Sequence, residues 1–187
     1  MPRSILFIGG CRSGKSALAQ QWAESCGPKR LYIATCIPRD TEMKERVARH
    51  QAARGKGWTT LECPALETSL LHAAYSEGRP DVMLVDCLTL WLGILFERQI
   101  NAEQLHSRFA ELAAFIRTAP CPVALVANEL GMGMVPADGM TRAFRDAAGE
   151  MHQAVAAVCE TVLFVTSGLP LALKGSIPPA CTGGIHA

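Results

Sequence analysis

Short unbroken apolar runs recur along the chain, each closed by glycine, proline or a polar cluster. Ile5 to Ile8, Leu31 to Ala34, Val82 to Val85, Pro122 to Ala127 and Thr161 to Thr166 read as buried strands, and Thr59 to Glu62 as a shorter one. Between them the apolar positions fall three or four apart, the helical period. This spacing predicts helices over Ala17 to Cys26, Thr41 to Arg54, Ala65 to Glu77, Leu88 to Arg98, Ala102 to Thr118 and about Asp138 to Cys159. Asp40 or Thr41 can cap the second of these and Asn101 the fifth. Phe144, Ala148, Met151, Val155 and Val158 form the apolar stripe of the last. After the Ser167-Gly168 turn, Leu169 to Leu173 can pair back as a final antiparallel strand.

Strands that alternate with helices imply parallel strands joined by right-handed crossovers. The expected class is therefore α/β: a mostly parallel central sheet flanked by helices, built as one domain over 1–174. Gly175 to Ala187 (GSIPPACTGGIHA) has no periodicity and is expected to be a loose tail. In open sheets of this kind, ligands sit beyond the carboxyl ends of the strands. Those ends carry the segment after Ile8, Thr35, Asp86 and Asn128-Glu129, together with the loop Gly131-Met132-Gly133-Met134-Val135-Pro136.

Composition narrows the function classes. The 187 residues suit one domain, and 49% hydrophobic against 19% charged residues excludes a disordered chain. A formal net charge of +1 gives no electrostatic footprint for nucleic acid. No apolar run has the length of a membrane span, and the first apolar run is already a strand, which leaves no room for a signal peptide. The eight cysteines form no Cys-x-x-Cys pair and no zinc-finger spacing. They are expected to be reduced thiols in a cytoplasmic protein without a structural metal.

The first strand runs into Gly9-Gly10-Cys11-Arg12-Ser13-Gly14-Lys15-Ser16, the Gly-x-x-x-x-Gly-Lys-Ser/Thr phosphate-binding pattern. Glycines let the backbone curl so that successive amides face one concave nest, and the following helix adds its positive end. Lys15 supplies a mobile cation for the β- and γ-phosphates, and the Ser16 hydroxyl can ligate Mg2+. Asp86, ending an apolar strand, has the setting of a magnesium carboxylate; an ordinary helix cap before Leu88 is the competing reading. Cys11 is open to alkylation in the loop or is simply a small residue that fits. There is no Asn-Lys-x-Asp run of the guanine-reading kind. His50 shares a helix face with Met43, Val47 and Arg54, which by position alone makes it a core or interface histidine. Glu42 with Arg46 and Glu45 with Arg49 have the spacing of surface ion pairs. His72 and His106 read as surface or packing residues, and Trp58 and Trp91 as core or subunit anchors.

GGCRSGKS, LYIAT, EMKERVARHQAARGKGW, LVDCLTLW, NELGMG-VP, FRDAAG and SGLPLALK, in this order, resemble the bifunctional adenosylcobinamide kinase/adenosylcobinamide-phosphate guanylyltransferases of cobalamin biosynthesis. The resemblance covers about Ile5 to Lys174. It implies a RecA-like P-loop NTPase fold and two activities. One phosphorylates the aminopropanol hydroxyl of adenosylcobinamide with ATP or GTP. The other attacks the α-phosphate of GTP with a histidine and passes the bound GMP to adenosylcobinamide phosphate. By motif, the nucleophile is His50. The implied nucleotide contacts are Gly9 to Ser16, Ala34, Thr35, Cys36, Gln51, Ala52, Ala53, Arg54, Glu62 and Asp86, with Ser16 and Asp86 toward Mg2+. Family members often have glutamate where Asp86 stands, and they can assemble as trimers, so a homo-oligomer is expected. Two positions depart from the family: His152 stands where Asn is usual, and Ile94 likewise.

Two rival readings remain at this level. A single-activity phosphate-loop kinase would move a γ-phosphate and trap nothing on His50. A non-enzymatic nucleotide switch would change its assembly state and consume no acceptor.

Overall fold

The computed structural model describes residues 1–184, and within it the side chains of Arg46 and Ala53 are not described. The expected Glu42–Arg46 pair and His186 therefore lie outside the described residues. The elements in chain order are β1 (Ser4–Gly9), α1 (Lys15–Cys26), β2 (Arg30–Ala34), α2 (Thr41–Ala53), β3 (Trp58–Glu62), α3 (Thr68–Gly78) and β4 (Val82–Asp86). They continue with α4 (Leu88–Glu97), α5 (Ala102–Thr118), β5 (Val123–Asn128), α6 (Gly139–Val158), β6 (Thr161–Thr166) and β7 (Leu169–Lys174). The seven strands form one sheet in the order β3-β2-β4-β5-β1-β6-β7. All neighbours are parallel except β6 and β7, which pair antiparallel as the turn at Ser167-Gly168 predicts.

The register sets the positions that matter for function. Gly9 lies opposite Asn128 on one side and Val165 on the other. Ala34 lies opposite Asp86 and Glu62. Both rows are at the carboxyl edge of the sheet, where chain reversals leave strand ends facing the same open crest.

The alternation of the strands feeds two apolar layers. On one side Leu6, Ile33, Met83, Val85 and Leu125 pack under the helices, with Leu71, Trp91, Phe109, Phe115 and Met151 filling the interface. Trp91 is buried as a core anchor, with its indole N–H donating to the Ala65 carbonyl at 3.0 Å. On the other side Ile5, Phe7, Val82, Leu84 and Val126 pack on Leu18 and Trp22 of α1.

Three expectations are corrected. α1 starts at Lys15, not Ala17, so Lys15 and Ser16 are its first helical residues. α3 starts at Thr68, not Ala65, because a turn in which Leu66 N donates to Cys63 O places Leu66 at φ 50°. The segment after Lys174 is not loose over its described length: Ile177 packs against the α1 layer, a 3-10 turn forms at Pro179–Cys181, and Cys181 is fully buried there. Polar composition concealed a few apolar residues with a complementary surface waiting on α1. Glu45 and Arg49 are both exposed on α2 and form no ion pair; α2 stands in solvent, where such pairs gain little. No disulfide joins any of the eight cysteines, and no helix among the described residues is long and apolar enough to cross a membrane.

Candidate active site

β1 delivers the chain into the loop 9–16. A Cβ on Gly9 would lie 2.3 Å from the Val165 carbonyl oxygen and 2.6 Å from Ser13 Oγ, so only glycine leaves room for the neighbouring backbone. Arg12 at φ 55° and Gly14 at φ 94° then curl the loop over the start of α1. Left-handed residues in such a curl turn successive amides toward one concavity. Leu18 N donates to Gly14 O at 3.0 Å, which starts the helix directly beneath the curl. Lys15 is buried and folds back, Nζ donating to Gly10 O at 3.0 Å. Ser13 Oγ is buried with no hydrogen-bond partner. Leaving a hydroxyl so costs about 1–3 kcal/mol, and a phosphate oxygen in the cradle would accept its proton. The residues present therefore fit a polyphosphate.

They also fit a magnesium ion carried with that phosphate. Ser16 is half-buried in the first turn of α1, and the half-buried Asp86 ends β4. The Lys15 charge reaches the residue after Asp86: it opposes the burial that pushes the Cys87 thiol up to about 11. One hydroxyl and one carboxylate suit a cation that keeps waters and takes its other oxygens from substrate. No group of three or more His, Cys, Asp or Glu side chains could hold a metal among the described residues. Any ion would be held largely by phosphate oxygens.

Thr35 is fully buried, and its hydroxyl is spent on structure. Oγ1 donates to Cys87 O at 2.7 Å and accepts from Cys87 N at 2.8 Å, clipping the end of β2 to the end of β4. Beside this clip is a group the sequence reading missed. Burial pushes the Tyr32 phenol above the usual range, the nearby Asp86 charge adds to this, and Arg54 opposes it. Arg54 is buried, its guanidinium carbon 3.6 Å from the Tyr32 ring centroid and Nη2 3.4 Å from Thr60 Oγ1. The signal was present in the sequence: strand alternation puts Tyr32, Ala34 and Asp86 on one sheet face once β2 and β4 are neighbours. Trp58 joins the same group by its edge, 6.2 Å from Tyr32, under Arg30.

Arg54 is also the C-cap of α2, so it docks the end of that helix beside Asp86. At the other end Asp40 accepts from Met43 N at 2.7 Å and Arg39 forms an ion pair with Glu97. Between these ties, among the described residues, α2 makes no extensive contact with another element. His50, in its last turn, is exposed, which removes the core half of the core-or-interface reading drawn from the helix face. Gln51, Ala52 and Glu62 are exposed as well, while Ala34 and Cys36 are half-buried at the sheet edge. Cys11 and Arg12 are exposed on the outer side of the loop. The fold thus gathers the loop 9–16, Ala34, Thr35, Arg54 and Asp86, and leaves His50 on a lightly held helix next to them.

The two departures lie in packing. Ile94 is on the buried side of α4. His152 is buried on α6 with Nε2 lacking a hydrogen-bond partner; burial lowers its pKa, with the charge of Glu129 opposing. His72 packs edge-on to Phe115 at the surface, and His106 pairs with Glu150.

The model of the family described as "Cobinamide kinase / cobinamide phosphate guanyltransferase" matches residues 5–173. The bifunctional adenosylcobalamin biosynthesis protein CobP of Pseudomonas aeruginosa is 42% identical over 170 residues, covering 91% of this chain and 96% of that protein. The bifunctional adenosylcobalamin biosynthesis proteins CobU of Escherichia coli K12 and of Salmonella typhimurium are each 34% identical, covering 91% of this chain and 99% of theirs. Among solved structures, a KaiC-like protein of Pyrococcus horikoshii OT3 superposes with a TM-score of 0.56 at 10% identity, over 92% of this chain and 78% of that one. Another protein from the same archaeon superposes at 0.57 and 12% identity, over 98% and 91%. The mostly parallel, helix-flanked sheet is thus a fold shared with these solved structures.

Proposed function

This chain belongs to the cobinamide kinase / cobinamide phosphate guanyltransferase family, and on that premise we propose how its residues divide two transfers between them. It is a bifunctional enzyme of adenosylcobalamin biosynthesis, with kinase and guanylyltransferase activities. In the kinase step the loop 9–16 holds the triphosphate of ATP or GTP, and Lys15 follows the transferring γ-phosphoryl group. The acceptor is the aminopropanol hydroxyl of adenosylcobinamide. In the second step an imidazole nitrogen of His50 attacks the α-phosphorus of GTP. A P–N bond forms, the α–β bridging bond breaks, and pyrophosphate leaves. The phosphate of adenosylcobinamide phosphate then attacks the same phosphorus, giving adenosylcobinamide-GDP and free His50. Splitting one difficult transfer into two is the usual advantage of a covalent intermediate.

Mg2+ bound through Ser16 and Asp86 would neutralise charge on the phosphates. Everything else falls to the chain: main-chain amides position the triphosphate, and Ala34 to Cys36, Gln51 to Arg54 and Glu62 surround the rest of the nucleotide. The observation that carries the reading is the Arg54 stack. It ties the helix bearing His50 to the sheet beside Asp86, which supports His50 acting on a nucleotide held there.

The test is incubation with α-labelled GTP and Mg2+. Label lost in acid, kept in base and absent in His50→Ala supports the covalent step. No covalent label on the unaltered protein sinks it and leaves the kinase alone.

The proposed assembly is a homo-oligomer, a trimer by family resemblance. Leu169, Leu171 and Leu173 on the edge strand β7 are 62, 58 and 61% exposed, an apolar stripe suited to a second copy. Leu171→Lys is expected to lower the mass measured by analytical ultracentrifugation. Eight cysteines with no disulfide between them support a reducing, cytoplasmic setting.

A further inference from the structure

One loop at the carboxyl edge of the sheet exposes apolar side chains with nothing over them. Met132, Met134, Val135 and Met140 are 77, 94, 73 and 72% exposed. A single exposed apolar residue is ordinary, whereas a cluster of this kind on one segment marks a contact surface. The segment is rooted at the phosphate loop, since Glu129 N donates to Gly9 O at 3.0 Å.

Its backbone is clamped. The Glu129 carboxylate accepts from Gly131 N. Arg145 donates to Met134 O at 2.7 Å and also to Gly131 O. Arg142 donates to Pro136 O at 2.9 Å and to Ala137 O at 2.6 Å. Asp138 caps the following helix by accepting from Thr141 N at 2.7 Å. Two arginines of α6 thus hold the main chain while the methionines point into solvent. Residues 130–137 (LGMGMVPA) carry no charge, so the surface is not built for phosphate or for a charged polymer. Methionine is unbranched and polarisable and adapts to broad, uneven apolar faces.

The acceptor of both transfers is a corrinoid: a large macrocycle with apolar faces, a methylated rim and neutral amide arms. We propose that Met132, Met134, Val135 and Met140 form the platform on which the corrinoid ring rests while its alcohol or phosphate arm reaches the loop 9–16. The inference rests on the family reading of the acceptor and adds where the acceptor lies.

The test is the double variant Met132→Ser/Met134→Ser. Both positions are exposed, so the variant is expected to keep its melting temperature. The platform predicts at least a tenfold rise in KM for adenosylcobinamide with kcat changed less than threefold. Cobinamide binding, followed by its visible absorbance, should weaken by the same factor. Labelling by α-labelled GTP, which needs no acceptor, should persist. An unchanged KM and unchanged cobinamide binding overturn the proposal. So does dissociation of the assembly with loss of both half-reactions, which would assign the loop to contact between copies. If the unaltered protein phosphorylates cobinamide but takes no label, the covalent His50 step fails, and the KM comparison still decides the platform.

Discussion

Gly9 shows how little space the cradle has. Its virtual Cβ meets the Val165 carbonyl, which belongs to a sheet and cannot give way. Gly9→Ala is expected to destabilise the fold by about 1–3 kcal/mol, the usual cost of overpacking, and to abolish nucleotide binding measured by calorimetry. Thr35 carries a different load. Thr35→Val would leave both Cys87 backbone groups without the hydroxyl, at about 1–3 kcal/mol, read as a lowered unfolding midpoint in urea. His152 makes stability depend on pH. Burial lowers its pKa below the ordinary 6.5, so the fold favours the neutral ring while the unfolded chain still takes up protons. Stability from this group is full above about 6.5 and is lost as pH falls below it. His152→Asn, with no charge to gain, should flatten the acid side of a melting-temperature profile.

At the scale of elements, α2 is the exception in a tightly packed domain. Among the described residues, α2 packs on no other element extensively and is held by its N-terminal cap, an ion pair and the Arg54 stack. A helix with so few buried contacts opens locally at low cost. Arg54→Ala should therefore raise hydrogen exchange of the α2 amides by about tenfold, the equivalent of about 1.4 kcal/mol, while α1 is unaffected. The proposed labelling of His50 by GTP should fall with it. If exchange in α2 does not change, Arg54 is not the tie described here.

Over the whole molecule, the segment after Lys174 closes the α1 face. Ile177 and Cys181 pack on the layer that supports the phosphate loop, and Gly168 N donates to Ser13 O at 2.9 Å just above it. The loop 9–16 is thus braced by residues from late in the chain. Removal of residues 176–187 is expected to lower the melting temperature by several degrees, through roughly 1–3 kcal/mol of lost apolar burial, and to weaken nucleotide binding. Full retention of both would show the brace to be idle.

The sequence by itself determined the strand and helix order, the phosphate loop, Lys15, Ser16 and the carboxylate at the end of β4. These depend on short-range spacing and on backbone conformations only glycine allows, which a linear pattern records. The motif order also identified the family, and the resemblance is what proposes His50 as the nucleophile. Only the tertiary structure decided what surrounds them. Tyr32 looked like one more apolar residue of a strand until register placed it beside Asp86 and under Arg54. Thr35 stood only as an implied nucleotide contact until the neighbouring strand end showed its hydroxyl bonded to Cys87. The C-terminal segment looked loose until α1 offered a surface to bury Cys181. Each of these rests on residues far apart in the chain, and the energy of such contacts exists only once the sheet has brought them together.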